Sequence, residues 1–518
     1  MGTRVCKKAI LISVVLPMLP GCGGGEGVDT GSAIGSCPAM EQVNEEWMPS
    51  MDSVWDWIRE MDAMGVRLTG SPAHNWYIDF LQQKMEQMGC RDIQRDAIEI
   101  HRWVPVHWSL ERIDEEGNLE ETLPVAGYYP YSGCTGITGE MGPLAFRTVN
   151  ALTDVRGKIV LMDSVIPQLT AGALALLATY IHEPDPDDLS ELLAEDYRRP
   201  WLCLAAVVPS LTDLKFRGAK GLVLIVDLPP EEARGQYMPF TTGYGDLPAV
   251  LVDRETGEHL KRQIAVGNSI RVRLVMEAYF ETVPTYHLTG FLPGQTDALI
   301  VLNSHTDGQN AVEENGPLGL LALGEYFSHI PSHCRPKTLC FSFVTGHFHS
   351  EVPDSEDWIG RHPDLVGRME AALCLEHLGT TQWLETSPGV YGPTGKCEPA
   401  AMFVSRHPEL VDATIASLKS QDLRRVVLME GLSFGVGIGF MKHKLPMIGY
   451  LSGPTYLLNY DNGGTDKLDR GRIEKEIRTF IEIVTRVGKA HLPSRGGVWW
   501  NAQQRFPTDS CSNEGTIQ

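Results

Sequence analysis

Residues 298–327 read ALIVLNSHTDGQNAVEENGPLGLLALGEYF. The opening ALIVL is a short apolar run containing the β-branched Ile300 and Val301, the composition of a buried strand. It ends in a polar loop, 303–308, that carries the imidazole of His305 and the carboxylate of Asp307 two residues apart. Glu313 and Glu314 follow, and then LGLLALGEYF, which is apolar on nearly every side and so predicts a buried helix. In open α/β sheets, ligands gather beyond the carboxyl ends of strands that lead into helices in this way. A His at the strand end and acidic residues at the next helix N-terminus can meet around one divalent cation. The same pattern also describes an ordinary strand–loop–helix whose polar residues face water.

Working outward, residues 51–67 have helical spacing, with Val54, Trp57, Ile58 and Met61 on one side. A break at 67–72 precedes a second amphipathic helix whose buried face carries Tyr77, Phe80, Leu81, Met85 and Met88, closed by Gly89. Residues 92–113 alternate like strands. From about 127 the character changes: 154–163, 218–226 and 246–252 each read as a turn followed by a strand, and 255–264 as a short helix. An Asp/Glu/Pro-rich insertion lies near 182–200. Strands then recur near 286–292, 298–303, 338–344 and 371–375, and Leu468, Ile473, Ile477, Phe480, Ile481 and Val484 outline a final amphipathic helix.

The chain of 518 residues is long enough for two or more domains. Its net charge of −22 argues against nucleic-acid binding, because no basic surface of the needed size is available. Arg4, Lys7 and Lys8 precede an apolar stretch, 9–19, that is too short to span a bilayer and reads as a signal peptide. Leu19-Pro20-Gly21-Cys22 resembles the lipobox of bacterial lipoproteins. The expectation is an exported protein of the bacterial cell envelope, with residues 1–22 as signal peptide and lipobox, Cys22 acylated and anchored in the lipid membrane, and 23–45 a flexible tether. Ordinary signal cleavage is the alternative. The cysteines are scattered without a CxxC pair, and none is assigned a role.

Taken in order, these pieces resemble the zinc exopeptidase family of bacterial aminopeptidases, glutamate carboxypeptidase and transferrin receptor. Gly65-Val66-Arg67-Leu68-Thr69-Gly70-Ser71 is similar to the family's N-terminal turn. Leu292-Pro293-Gly294, His305-Thr306-Asp307 and Lys467-Leu468-Asp469 follow at the expected places. Val155-Arg156-Gly157-Lys158-Ile159-Val160, Gly218-Ala219-Lys220-Gly221 and Leu247-Pro248-Ala249-Val250 resemble the family's protease-associated domain. The resemblance implies an α/β fold, a mixed-sheet sandwich with helices on both faces, formed by residues 46–126 and 281–490. It further implies an inserted β-rich protease-associated domain at 127–280 and a loosely attached tail at 491–518.

The family's site holds two zinc ions, about 3.5–4 Å apart as in two-metal hydrolases generally. By resemblance, His305 is a first ligand, and Asp307 the carboxylate that orients a ligand imidazole. Glu314 takes the place of the bridging Asp, and Glu376 that of another ligand Asp. His347 stands at the position of the catalytic base and Phe348 at that of a ligand Glu, so His349 is expected to fold back as a replacement ligand. The late ligand His corresponds to Asn459, with Asp461 and Asp466 nearby. The catalytic assignments are thus His347 and Asp307, and the metal assignments His305, Glu314, Glu376, His349 and Asn459, around one or two zinc ions.

The implied activity is metal-dependent exopeptidase or aminopeptidase-like hydrolysis of peptides or N-acyl amino compounds. The alternative is a non-catalytic binding protein, as transferrin receptor is on this fold. In either case the protease-associated domain would serve as a substrate- or partner-binding lid. A third class, serine hydrolysis, is suggested only by Gly431-Leu432-Ser433-Phe434-Gly435, a short pattern in a Gly-rich chain.

Overall fold

The computed structural model describes residues 37, 42–147, 154–203, 210–239, 243–490 and 492. The expected signal peptide, Cys22, most of the tether and nearly all of the tail lie outside the described residues. The chain divides into a unit of Met1–Cys37 and one of Pro38–Gln518, and every helix and strand among the described residues lies in the second. Among the described residues, no helix is long and apolar enough to cross a membrane.

Eight strands form the main sheet: β1 (Arg91–Ile113), β2 (Arg271–Leu292), β3 (Leu299–His305), β4 (Thr338–Val344), β5 (Met369–Leu375), β6 (Ala400–Val404), β7 (Val426–Glu430) and β8 (Met447–Ser452). Their order across the sheet is β1-β2-β4-β3-β5-β8-β6-β7. The central four, β4, β3, β5 and β8, run parallel, whereas β1, β2 and β6 pair antiparallel with their inner neighbours. β3 and β4 are buried along their whole length, as uninterrupted apolar runs in a sheet covered on both faces should be.

One face is covered by α1 (Met51–Asp62), α2 (Pro72–Gln87), α3 (Gly316–Ser328), α4 (Pro408–Ser420) and α5 (Arg470–Lys489). Side chains of Ser50, Ser71 and Asp469 accept from backbone N–H groups at the starts of α1, α2 and α5, satisfying donors that a helix cannot pair internally. On the other face Trp358, Ile359 and Phe440 pack against Val301, Cys340, Val344 and Met447. α3 is apolar all round because it is buried all round, as its sequence predicts.

A second sheet is built from Gly127–Tyr128, Ala249–Val252, Gly221–Ile225, Ile159–Asp163 and Glu140–Phe146, with its own core of Val160, Met162, Leu222, Leu224 and Leu251. The 22-residue strand β2 belongs to both sheets: Arg271–Leu274 pair with Glu140–Pro143, and its far end pairs with β4. The acidic stretch near 182–200, read as an insertion, contributes Tyr180–His182 as an edge strand against β7. It is fastened by Arg199, whose buried guanidinium donates to Glu398 Oε1 at 2.6 and 3.0 Å.

α3 begins immediately under the strand ends. A Cβ on Gly316 would collide with the Leu375 carbonyl oxygen and Ser304 Oγ, whereas one on Gly360 would meet nothing within 4 Å. Gly316→Ala should therefore lower stability by about 1–3 kcal/mol through overpacking. Gly360→Ala, in the helix Asp354–Arg361, should leave it unchanged or raise it by about 0.5–1 kcal/mol. Paired thermal melts would check the contrast.

Candidate metal centre

His305 is the last residue of β3 and is fully buried. Its Nδ1–H donates to the Asp307 carbonyl oxygen at 2.9 Å, which leaves the Nε2 lone pair to face inward. Nε2 lies 3.6 Å from Glu376 Oε2 and 3.9 Å from Glu313 Oε1. Glu376 follows β5 directly, and its Oε1 accepts from the Val436 N–H at 3.1 Å. Next to it, His377 has a left-handed backbone (φ 58°) that carries its ring to the same point. There Nδ1–H donates to the Ser452 carbonyl at 2.7 Å, and Nε2 is 3.1 Å from Glu313 Oε2. His347, after β4, stacks on His305 with ring centroids 4.2 Å apart. Its Nδ1 is 2.9 Å from Asp354 Oδ2 and its Nε2 4.0 Å from Glu313 Oε1.

Three imidazoles and two carboxylates thus converge at the C-terminal ends of three neighbouring parallel strands. They form two overlapping groups, His305–Glu376–His377 and His305–Glu313–His347, in each of which the ligand atoms lie within 4.8 Å of one another. His305 Nε2, Glu313 Oε2, Glu376 Oε2 and His377 Nε2 are buried. Buried polar atoms are nearly always paired; here His305 Nε2 and Glu376 Oε2 have no hydrogen bond among the described residues, and His377 Nε2 and Glu313 Oε2 have only each other at 3.1 Å, so the cluster has donor atoms to spare for a further group. Neutral imidazole and carboxylate form a zinc donor set, and these residues fit such an ion.

Electrostatics agree with that fit. Burial, reinforced by the neighbouring imidazoles of His347 and His377, holds His305 well below its usual range and keeps its lone pair available. Burial pushes Glu376 up to about 7, against the opposing pull of His377 and His347. For His347, burial alone would lower the pKa, but the hydrogen bond and charge of Asp354, with Glu376 and Glu313 behind it, raise it to about 9.

Several residues expected at the site are placed elsewhere. Glu314 points away and is ion-paired with the Arg67 guanidinium, both side chains being fully buried. It is Glu313, one residue earlier, that faces the centre. His349 Nε2–H donates to the His101 carbonyl at 3.2 Å, and the residue belongs to neither group. Asn459 is a loop fastener: its Oδ1 accepts from the Asp461 and Asn462 N–H groups and its Nδ2 donates to the Arg234 carbonyl. Asp461 and Asp466 are largely exposed, and neither belongs to the two groups. Asp307 orients His305 through its carbonyl oxygen. Its carboxylate instead accepts from Thr69 Oγ1 and from the N–H groups of His347 and Phe348, fixing the loop that carries His347. Phe348 is buried, its ring 6.3 Å from that of His305. Ser433 donates to the Phe434 carbonyl at 3.3 Å, and among the described residues no histidine hydrogen-bonds to it.

The sequence reading names Glu313 beside Glu314 as an acid able to meet His305 around a cation but gives the ligand position to Glu314, and it assigns no role to His377 or Asp354. The available signal was position: Glu313 and His377 each adjoin a residue assigned as a ligand, and Asp354 lies seven residues after His347 in an acidic run.

No family model and no curated protein sequence matches the chain. Solved structures do. A peptidase M28 precursor from Shewanella amazonensis superposes with a TM-score of 0.61 at 11% identity, over 86% of this chain and 99% of that one. BSAP, a zinc aminopeptidase from Bacillus subtilis, gives 0.58 at 14%, over 84% and 95%. An aminopeptidase from Aneurinibacillus sp. strain AM-1 gives 0.54 at 12%, over 86% and 94%. The chain therefore has the zinc exopeptidase-like fold of the bacterial aminopeptidases.

Because Glu313 faces the cluster, Glu313→Gln should weaken zinc binding at least about tenfold, whereas Asp461→Asn, at an exposed carboxylate outside both groups, should leave it within about twofold. Isothermal titration would decide. The carboxyl of Glu376 is raised to about 7, chiefly by burial, so the folded metal-free chain holds a proton that the unfolded chain releases. Its stability should fall as pH rises from about 5 to 8, and zinc should lift the melting temperature more at pH 8 than at pH 6.

Proposed function

We propose that the protein is a metal-dependent hydrolase of peptide or N-acyl amide bonds, acting near one end of its substrate through a one-ion centre. The observation that carries this reading is the convergence of the buried His305 Nε2, Glu313 Oε2, Glu376 Oε2 and His377 Nε2 at the ends of parallel strands. A divalent ion held there polarises a carbonyl and brings a water's pKa towards neutrality. The chain's own groups do the rest. Backbone carbonyls of Asp307 and Ser452 fix the tautomers of His305 and His377, so that both present Nε2. His347, kept protonated by Asp354 at Nδ1, is placed to give its Nε2 proton to the departing amine and to recover one from the attacking water. With Phe348 and Asn459 at two positions where the resemblance in the sequence expects ligands, the remaining donors suffice for one ion.

A second reading, a non-catalytic binding protein on the same fold, is favoured by one specific feature. Phe348 is covered by Tyr237, ring centroids 5.8 Å apart, and its carbonyl accepts from Tyr131 Oη at 2.9 Å. The crevice these residues line with Trp103 and His349 measures only ≈ 10 Å³, room for about one water. Substrate entry would require Tyr237 to move with the inserted unit. We read that unit as a protease-associated domain serving as a lid for substrate or a protein partner, and the chain as exported and anchored through acylated Cys22.

The zinc-loaded protein should hydrolyse aminoacyl or N-acyl amide substrates and lose activity to a chelator. His347→Ala should lower kcat about 10²–10⁴-fold while zinc stays bound. Bound zinc without turnover on either substrate class would select the second reading, and failure to bind zinc at all would overturn the hydrolase. Cys22→Ser should move the protein from the membrane fraction to the soluble one.

A further inference from the structure

A cavity of ≈ 510 Å³ shares no lining residue with the metal centre. One wall comes from the inserted unit, with Asp196, Arg198, Glu232 and Arg254. The other comes from Glu385 and its neighbours in the hairpin Thr381–Ser387/Val390–Cys397, with Thr455. The cationic groups here are already committed. Arg198 Nη2 and Arg254 Nε each lie 2.5 Å from the Asp227 carboxylate, and Arg254 also forks onto Glu385 at 2.7 and 3.0 Å. The adjoining Arg199 is engaged by Glu398.

Glu232 is the exception. It is buried, at 3% relative exposure, yet its carboxylate makes no hydrogen bond or ion pair among the described residues. Gln236 Nε2 donates to its backbone carbonyl at 3.0 Å and holds the residue in place. Burial, with Glu385 adding to it and Arg198, Arg199 and Arg254 opposing, pushes the carboxyl up to about 7, as expected of a buried acid lacking a counter-charge. Such a group is costly unless something pairs with it.

We propose that this cavity is a binding site for a small organic cation, a primary ammonium on an amino acid or short peptide, with Glu232 receiving the charge. The volume lies within the range of small-molecule sites, and Leu228, Leu384 and Pro388 offer apolar wall to an aliphatic stem. Of the three carboxylates lining the cavity, Glu385 is engaged by Arg254 and Asp196 by the Arg198 N–H, and the one left, Glu232, does not supply the donors a metal ion requires. The site does not depend on the metallohydrolase reading, since none of its residues belongs to the centre.

The ammonium could be an amino terminus or a lysine side chain, and three probes separate them by isothermal titration against the full chain. Norleucine amide carries only the α-ammonium, Nα-acetyl-lysine amide only the side-chain ammonium, and Nα-acetyl-norleucine amide neither. One charged probe should bind at millimolar concentration or below while the neutral one does not. Glu232→Gln should weaken that binding at least about tenfold, equivalent to about 1.4 kcal/mol for one charge pair. Glu232→Gln should also melt no lower than wild type, because it removes an unpaired buried charge. Should that variant fail to fold, the wild type's own affinity for the bound probe, falling from pH 8 to pH 6 as Glu232 takes up a proton, tests the same charge pair. Absence of binding by both charged probes, or unchanged binding by a folded Glu232→Gln, overturns the proposal.

Discussion

The ion pair between Arg67 and Glu314 decides how the metal centre is assembled. Both side chains are fully buried, and the guanidinium also donates to the carbonyls of Met61, Gly65 and Asn310. One cation thereby ties the end of α1, the turn before α2 and the loop after β3 into a single block. A buried pair of this kind contributes little net stability, but either partner alone is strongly unfavourable, so the geometry is enforced. With Glu314 held on one side, the adjacent Glu313 is delivered to the other. The choice of ligand is thus made by an arginine more than two hundred residues earlier.

The centre that results is electrostatically unfinished. Its carboxylates bear a desolvation penalty, and its imidazoles are oriented by the Asp307 and Ser452 backbone carbonyls rather than by carboxylates. Backbone acceptors fix a tautomer without adding negative charge, which leaves the lone pairs neutral and available. His347 is set apart from the other two by Asp354, which favours its protonated form. The cluster therefore holds unlike histidines: burial and its neighbours keep His305 neutral, whereas, against the opposing effect of burial, the Glu313 carboxylate favours a proton on His377 and Asp354 favours one on His347.

Much of this was legible in the sequence. The run from 298 to 327 specifies a buried strand, a polar loop and a buried helix, and those are β3, the site loop and α3. The order of motifs placed His305 and Glu376 at strand ends, where both residues lie. What could not be read was direction. In a loop entering a helix, neighbouring residues face opposite ways, and the Arg67 contact that settles Glu313 against Glu314 spans 247 positions. His377 depends on a left-handed backbone that its side chain does not announce. His349 was expected to turn inward because a ligand was missing, but one turn later in the loop it faces β1 and the His101 carbonyl instead.

Asn459 and Phe348, the two positions at which the sequence departs from the ligand pattern its resemblance implies, are physically joined. Asn459, lacking a metal-binding nitrogen, fastens its loop to the inserted unit through the Arg234 carbonyl. On either side of it the Tyr237 N–H donates to the Leu458 carbonyl at 2.6 Å and the Tyr460 N–H to the Gly235 carbonyl at 2.9 Å. That joint fixes Tyr237, whose ring rests on Phe348, which in turn packs against His305 and His347. A late ligand His could not serve as the joint while holding an ion, and a ligand Glu at 348 could not accept an aromatic cover. In this chain the loop joint and the aromatic cover occupy the two positions at which the resemblance in the sequence expects ligands.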